Sequence, residues 1–187
     1  MPAVATIGPT RCALFGLACL LLGACSSLPT ARVPSHSPAA TFVLVPHAET
    51  ADDTRDDPPL SSAGQQRAQA LKDRLAGTML VAVYADEFRR TQDTAAPTLA
   101  ARTGLALQHY FSRGPLQETA HQWRSQFTQG TVLVVGQPEA IAPLADALCD
   151  CTVTPLRAGE TDRLVRIEPR TGGSMRIDDG HYGNRSP

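Results

Sequence analysis

The stretch TFVLVPHAET, residues 41–50, decides the fold. Thr41 to Val45 form a short β-favouring run that is apolar at successive positions instead of alternating. Such a run belongs to a strand buried on both faces, as in a parallel sheet covered by helices. It stops at Pro46 and hands over to His47 and Glu49, so polar chemistry sits at the carboxyl end of a buried strand. Pro46 is an odd last residue there, because it removes a backbone donor and adds no charge.

Working outward, two further runs have the same character: MLVAVYA at 79–85 and TVLVVG at 131–136. Helical patterns lie between them. Residues 61–77 open with Ser and Gly, carry Ala68, Leu71 and Leu75 on one face and stop at Gly77. Residues 89–104 form a helix that bends at Pro97 and ends at Gly104. A short strand follows at 106–110. Residues 115–130 form a helix with Leu116, Trp123 and Phe127 inward, and residues 140–149 another. RLVRIEP (163–169) and SMRIDDGHYG (174–183) make a closing hairpin across RTGG. Strands separated by helices predict an α/β fold: a three-layer α/β/α sandwich with a mainly parallel central sheet. Ligands of such sheets bind beyond the carboxyl ends of the strands. The segments to inspect are therefore Pro46–Glu49, Asp86–Arg90 and Gln137–Glu139.

The first forty residues stand apart. Residues 1–24 carry a single charge, Arg11, then an apolar run from Cys12 to Leu22 and small residues before Cys25. This is a secretory signal. Its 11-residue apolar run is too short for a bilayer, which takes about 20. LLGACSS resembles a bacterial lipobox, which implies lipidation of Cys25 as the mature N-terminus, and Ser26 implies sorting to the outer membrane. Residues 25–40, rich in Ser, Pro and Ala, are expected to be a lipidated cysteine and flexible tether that includes a solvated His36. The expected location is the bacterial cell envelope, facing the periplasm.

Removing the 24-residue leader leaves 163 residues, enough for one domain with a sizeable core. Of the 17 basic residues one lies in the leader, so the remainder carries a formal charge of −2 against 18 acids. Lys72 is the only lysine, and the arginines are spread along the chain. No nucleic-acid footprint results, since that requires clustered basic charge. Cys149 and Cys151 stand in an oxidising compartment, where a disulfide and two separate thiols are both open. No ligand set for zinc accompanies them.

LVPHAET…DPPLSSAGQQRAQALKDRL, followed by VYADEFRRTQDTAAPTLA, resembles the histidine phosphatase (phosphoglycerate mutase-like) superfamily. VLVVGQPEAIAPLADAL and ETDRLVRIEP extend the resemblance over residues 41–183, the expected domain. The resemblance implies a phosphoglycerate mutase-like sheet, phosphorylated small molecules or peptides as ligands, and no cofactor or metal. In that family the first strand ends in Arg-His-Gly or Arg-His-Ala. The histidine takes the phosphoryl group, two arginines and a second histidine hold its oxygens, and a carboxylic acid protonates the leaving group.

Residue by residue, His47 matches the nucleophile and Arg90 the second pocket arginine. Glu118, in PLQETA, falls where many relatives place the acid, and Glu49 is an alternative; both have the bland alternative of a solvated glutamate. Pro46 stands where the family has its first arginine, Gln137 where it has the second histidine, and Asp86 where it has the serine of S-P-x-x-R. Gln137 is left as an uncharged hydrogen-bonding contact for substrate, and Arg55, Arg89 and Arg113 as cations that could be recruited. His109, His121 and His181 match no family catalytic position. Losing one pre-organised donor costs about 10²–10³-fold in rate. Three readings follow: an impaired pseudophosphatase or binding module; an active phosphomonoester hydrolase working through phosphohistidine at His47; and a cation- or ligand-binding module built on Asp86, Glu49 and His47.

Overall fold

The computed structural model describes residues 39–51 and 56–186. The leader, Cys25, His36 with almost all of the tether, and Arg55 lie outside the described residues. Six strands form one sheet: β1 (Thr41–Pro46), β2 (Leu80–Ala85), β3 (Leu107–His109), β4 (Thr131–Gly136), β5 (Arg163–Pro169) and β6 (Met175–His181). Their order is β3-β2-β4-β1-β5-β6. The first four are mutually parallel, and β5 and β6 extend the sheet antiparallel. Four helices connect the strands: α1 (Ser62–Arg74), α2 (Arg89–Ala100), α3 (Leu116–Gln126) and α4 (Pro138–Cys149). The expected α/β sandwich with a mainly parallel sheet is the fold.

The continuous apolar runs do what two-sided burial requires. Phe42 and Leu44 face the core shared with α3 and α4, while Val43 and Val45 face the core shared with Leu71 and Leu75 of α1. All four strand residues are essentially inaccessible. Aromatic packing closes the α3 side, where the Tyr84 and Trp123 rings lie 4.4 Å apart.

Pro46 is accommodated by the register. It pairs with Gly136 of β4, and the next residue, His47, donates its N–H to the Gly136 carbonyl at 2.9 Å. Backbone donors along a strand alternate sides, so position 46 points its nitrogen toward β5. That partner has already left, because β1–β5 pairing runs only from Phe42 to Leu44. A missing N–H costs nothing at an edge of this kind.

Local chemistry sets the helix starts. Ser61 caps α1, its hydroxyl accepting the Gly64 N–H at 3.1 Å. The Ser61 N–H is donated to the Glu49 carbonyl at 2.9 Å, and a Cβ at Gly64 would overlap that same carbonyl oxygen. The glycine thus lets α1 lie directly on the backbone of Glu49, two residues after His47. α4 begins two residues earlier than the periodicity predicts, because Pro138 is pre-set for a first helical turn. α2 ends at Ala100, before Gly104, in a tight turn where the Arg102 N–H meets the Leu99 carbonyl. α4 ends at Asp150, left-handed at φ 55°, and Cys149 and Cys151 are joined across it in a disulfide. Of the two states the sequence leaves open, the structure shows the bridge.

Candidate active site

The carboxyl ends of β1, β2 and β4 bring His47, Asp86 and Gln137 to one end of the sheet, and the first turn of α2 adds Arg90. His47 is held first. Its Nδ1 lies 2.8 Å from the carbonyl oxygen of Ala48, so Nδ1 carries the proton and donates it, and Nε2 has no hydrogen-bond partner among the described residues. The following peptide is fixed as well: the Ala48 N–H donates to Thr94 Oγ1 at 2.9 Å, and that hydroxyl donates to the Arg90 carbonyl at 2.8 Å. Burial pushes the His47 pKa below 6.5, and the Arg90 guanidinium adds to the effect. The Ala48 carbonyl and the charges of Asp86 and Glu139 act against them without prevailing. A neutral imidazole with a free Nε2 is the state a nucleophile needs.

Arg90 and Gln137 meet. The Gln137 side-chain oxygen accepts from Arg90 Nε at 3.1 Å and from Nη2 at 2.6 Å. Its amide nitrogen donates to Asp86 Oδ2 at 2.8 Å. Asp86, wholly inaccessible, also accepts the Phe88 N–H at 3.0 Å and the Thr91 hydroxyl. The result is a chain, Asp86–Gln137–Arg90, with Gln137 itself 3% exposed. The remaining terminal nitrogen of Arg90, Nη1, donates to Asp57 Oδ1 at 3.3 Å and to the Asp56 carbonyl at 3.4 Å. The guanidinium lies over the Phe88 ring at 4.2 Å, and Arg113 approaches the same ring at 5.6 Å.

The other expected residues are placed elsewhere. Glu49 turns toward α1 and is gripped by Arg67 Nε and Nη2, while Arg67 Nη1 donates to the carbonyls of Tyr182, at 3.0 Å, and Asn184, at 2.7 Å. Burial alone would raise the Glu49 pKa, but the hydrogen bonds from Arg67 hold it below its ordinary value. An ionised, clamped carboxylate is a poor proton donor, so this geometry does not suit Glu49 as the acid. Glu118 is exposed in the first turn of α3, and its charge does not figure among those acting on His47. Asp86 and Glu139 are carboxylates whose charges do act on His47.

The cation site expected from Asp86, Glu49 and His47 does not assemble. Asp86 is spent on Gln137, Phe88 and Thr91, and Glu49 on Arg67. Among the described residues the one cluster with convergent ligand atoms is Glu160, Asp162 and His181. Its carboxylate already has partners: Asp162 meets His181 Nδ1 at 3.2 Å, Arg185 at 3.8 Å and the Ser186 hydroxyl at 2.9 Å. Of the arginines named as recruits, Arg113 comes near, and Arg89 pairs with Asp93 at 3.1 Å on the outside of α2.

Three neighbours of the site are given no role by the sequence. Asp57 lies in the acidic run RDDPP, which reads as solvated loop. Glu139 stands two residues after Gln137, in the segment after β4 marked for inspection, but its sequence context assigns it no role. Tyr110 is signalled only by Gly136: a Cβ there would overlap the Tyr110 hydroxyl, which is buried with no hydrogen-bond partner among the described residues.

Residues 42–121 match the family model of the histidine phosphatase superfamily (branch 1). No curated protein matches the chain. Among solved structures the chain is similar to the protein histidine phosphatase SixA complexed with tungstate, at 16% identity and TM-score 0.62, covering 75% of this chain and 96% of that one. It is similar to Bacillus stearothermophilus YhfR at 19% identity and TM-score 0.59, covering 74% and 95%. A mycobacterial glucosyl-3-phosphoglycerate phosphatase in complex with VO3 aligns at 15% identity and TM-score 0.56, covering 76% and 99%. At these identities the structural likeness speaks to the fold.

Proposed function

The chain belongs to the histidine phosphatase superfamily, and from that premise we propose that it is a lipid-anchored envelope protein whose phosphoryl-transfer centre is impaired. It serves as a pseudophosphatase or binding module for phosphorylated small molecules or peptides. Cys25 carries the lipid, residues 26–40 are the tether, and residues 41–183 form the domain, facing the periplasm from the outer membrane. One observation carries the impairment: the pocket arginine is turned onto the protein's own acceptors. Gln137, at the position of the second histidine, takes two donors of Arg90 and spends an amide N–H on Asp86. Pro46 supplies nothing in place of the first arginine. A phosphoryl group beside His47 therefore meets few of the charged donors that its transition state requires.

The test is hydrolysis of a generic phosphomonoester by wild type, His47→Ala and the double variant Pro46→Arg/Gln137→His. Activity confined to the double variant supports a decayed centre. Substantial wild-type hydrolysis that disappears in His47→Ala refutes it.

A second reading has its own support in the His47 geometry. With Nδ1 on the Ala48 carbonyl and a depressed pKa, the ring keeps a nucleophile's form. In that reading Nε2 bonds to phosphorus as the ester oxygen leaves and takes up a proton, and water then hydrolyses the phosphohistidine. It predicts acid-labile phosphate on His47 after incubation with a phosphate donor. Absence of such an adduct with several donors excludes it.

A further inference from the structure

Asp57 reaches the site from a loop and makes two contacts there. Its Oδ2 accepts the backbone N–H of Arg89, the first residue of α2, at 2.7 Å. Its Oδ1 accepts from Arg90 Nη1 at 3.3 Å. The residue ahead of the helix, Phe88, offers no side-chain cap of its own, so the opening donor of α2 is satisfied from 32 residues upstream. A helix N-terminus beside a guanidinium is the pairing that recognises a phosphate or other oxyanion, through an aligned dipole and charge-assisted hydrogen bonds. Here that pairing already holds an anion, and the anion belongs to the protein.

We propose that Asp57 is a built-in competitor for oxyanions at this site: its carboxylate occupies the oxyanion position between Arg90 and the start of α2, and an incoming phosphate must displace it. The inference rests on the reading of the cleft as an oxyanion site. A tethered competitor acts at a high effective concentration, so it weakens every oxyanion without altering the donors themselves. Phosphate displacing Asp57 would gain the Arg89 N–H and the Arg90 Nη1 donor, while Nε and Nη2 stay on Gln137. A purely structural cap predicts something else: its removal loosens α2 and gains no ligand.

The experiment is calorimetric titration of the full chain with inorganic phosphate at neutral pH. Asp57→Asn is expected to bind about tenfold more tightly than wild type, the worth of one charge-assisted hydrogen bond no longer contested. Asp57→Ser, which keeps an oxygen for the Arg89 N–H without the charge, is expected to match it and guards against a folding defect in the first variant. The gain should vanish in Asp57→Asn/Arg90→Gln. Asp93→Asn removes an equal charge from the outer face of α2 and should leave affinity nearly unchanged. Equal affinity of wild type and both Asp57 variants overturns the proposal. So does a gain in Asp93→Asn as large, or a gain that survives loss of Arg90. Absence of phosphate binding in every variant overturns it too, and leaves the impaired-catalysis reading standing, since that one fails only on wild-type hydrolysis that depends on His47.

Discussion

The Gln137 carboxamide oxygen accepts two hydrogen bonds from Arg90, at 3.1 and 2.6 Å, while its nitrogen donates to buried Asp86 at 2.8 Å. The amide joins a cation and an anion that would otherwise face a low-dielectric interior with one partner fewer. Gln137→Ala is therefore expected to lower stability by about 2 kcal/mol, the usual cost of leaving a buried acceptor short of a donor. Urea unfolding measures it, and a change under about 0.5 kcal/mol, the range of inconsequential surface substitutions, would show that the chain of contacts carries no stability.

The depressed pKa of His47 has a signed consequence for stability. Burial disfavours the protonated ring in the folded state, so between the lowered folded value and the ordinary 6.5 the unfolded chain binds more protons. Wild type should lose stability relative to His47→Gln as pH falls below about 6.5, and the two should run parallel above it. Melting curves from pH 8 to 5 report this. A gap that stays constant on acidification contradicts the burial account.

Tyr110 carries over Gly136 a buried hydroxyl that has no hydrogen-bond partner among the described residues. Burial pushes its pKa well above the ordinary phenol value, with Asp86, Glu87 and Glu139 acting in the same direction, so it stays a protonated, unmatched donor. Tyr110→Phe should stabilise the protein by about 1 kcal/mol. Gly136→Ala should cost about 2 kcal/mol through overlap with that oxygen. In the double variant the penalty should shrink. Strict additivity would mean that the hydroxyl is not what Gly136 accommodates.

Glu49 and Arg67 form a pair whose arginine is 5% exposed. Glu49→Ala leaves that cation with the Tyr182 and Asn184 carbonyls as its acceptors among the described residues and should cost about 3 kcal/mol. The pair's contribution is complete above the ordinary carboxylate value of 4.5 and is lost as pH falls through the lowered folded value. Chemical unfolding of wild type and Glu49→Ala should therefore converge only in acid. Persistence of the full difference at pH 3 would assign it to packing alone.

The fold was legible because burial on both faces leaves a mark in the residues. Continuous apolar runs at 41–45, 79–85 and 131–136 correspond to β1, β2 and β4, and only a parallel sheet between helix layers needs them. Helix ends were less legible: α2 closes four residues before Gly104 because local turn bonds compete there with periodicity. Within the site, His47, Arg90 and Gln137 could be found because each follows a strand or opens a helix. What could not be read was partnership. The sequence offers Glu49 as an acid, but whether a carboxylate donates a proton depends on its neighbour, and Arg67 lies 18 positions away on another element. Asp57 was hidden for the same reason, since an acid in a loop has no periodicity to reveal which cation it meets.

The tie between Arg67 and the carbonyls of Tyr182 and Asn184 makes residues 182–186 a remote handle on the segment that leaves β1. Arg67 grips Glu49 two positions after His47, and Ser186 is moored to Thr161 and Asp162 by its hydroxyl. A fusion tag, a trimming protease or a shortened clone that disturbs residues 182–186 would slacken the segment leaving β1 from the far side of α1.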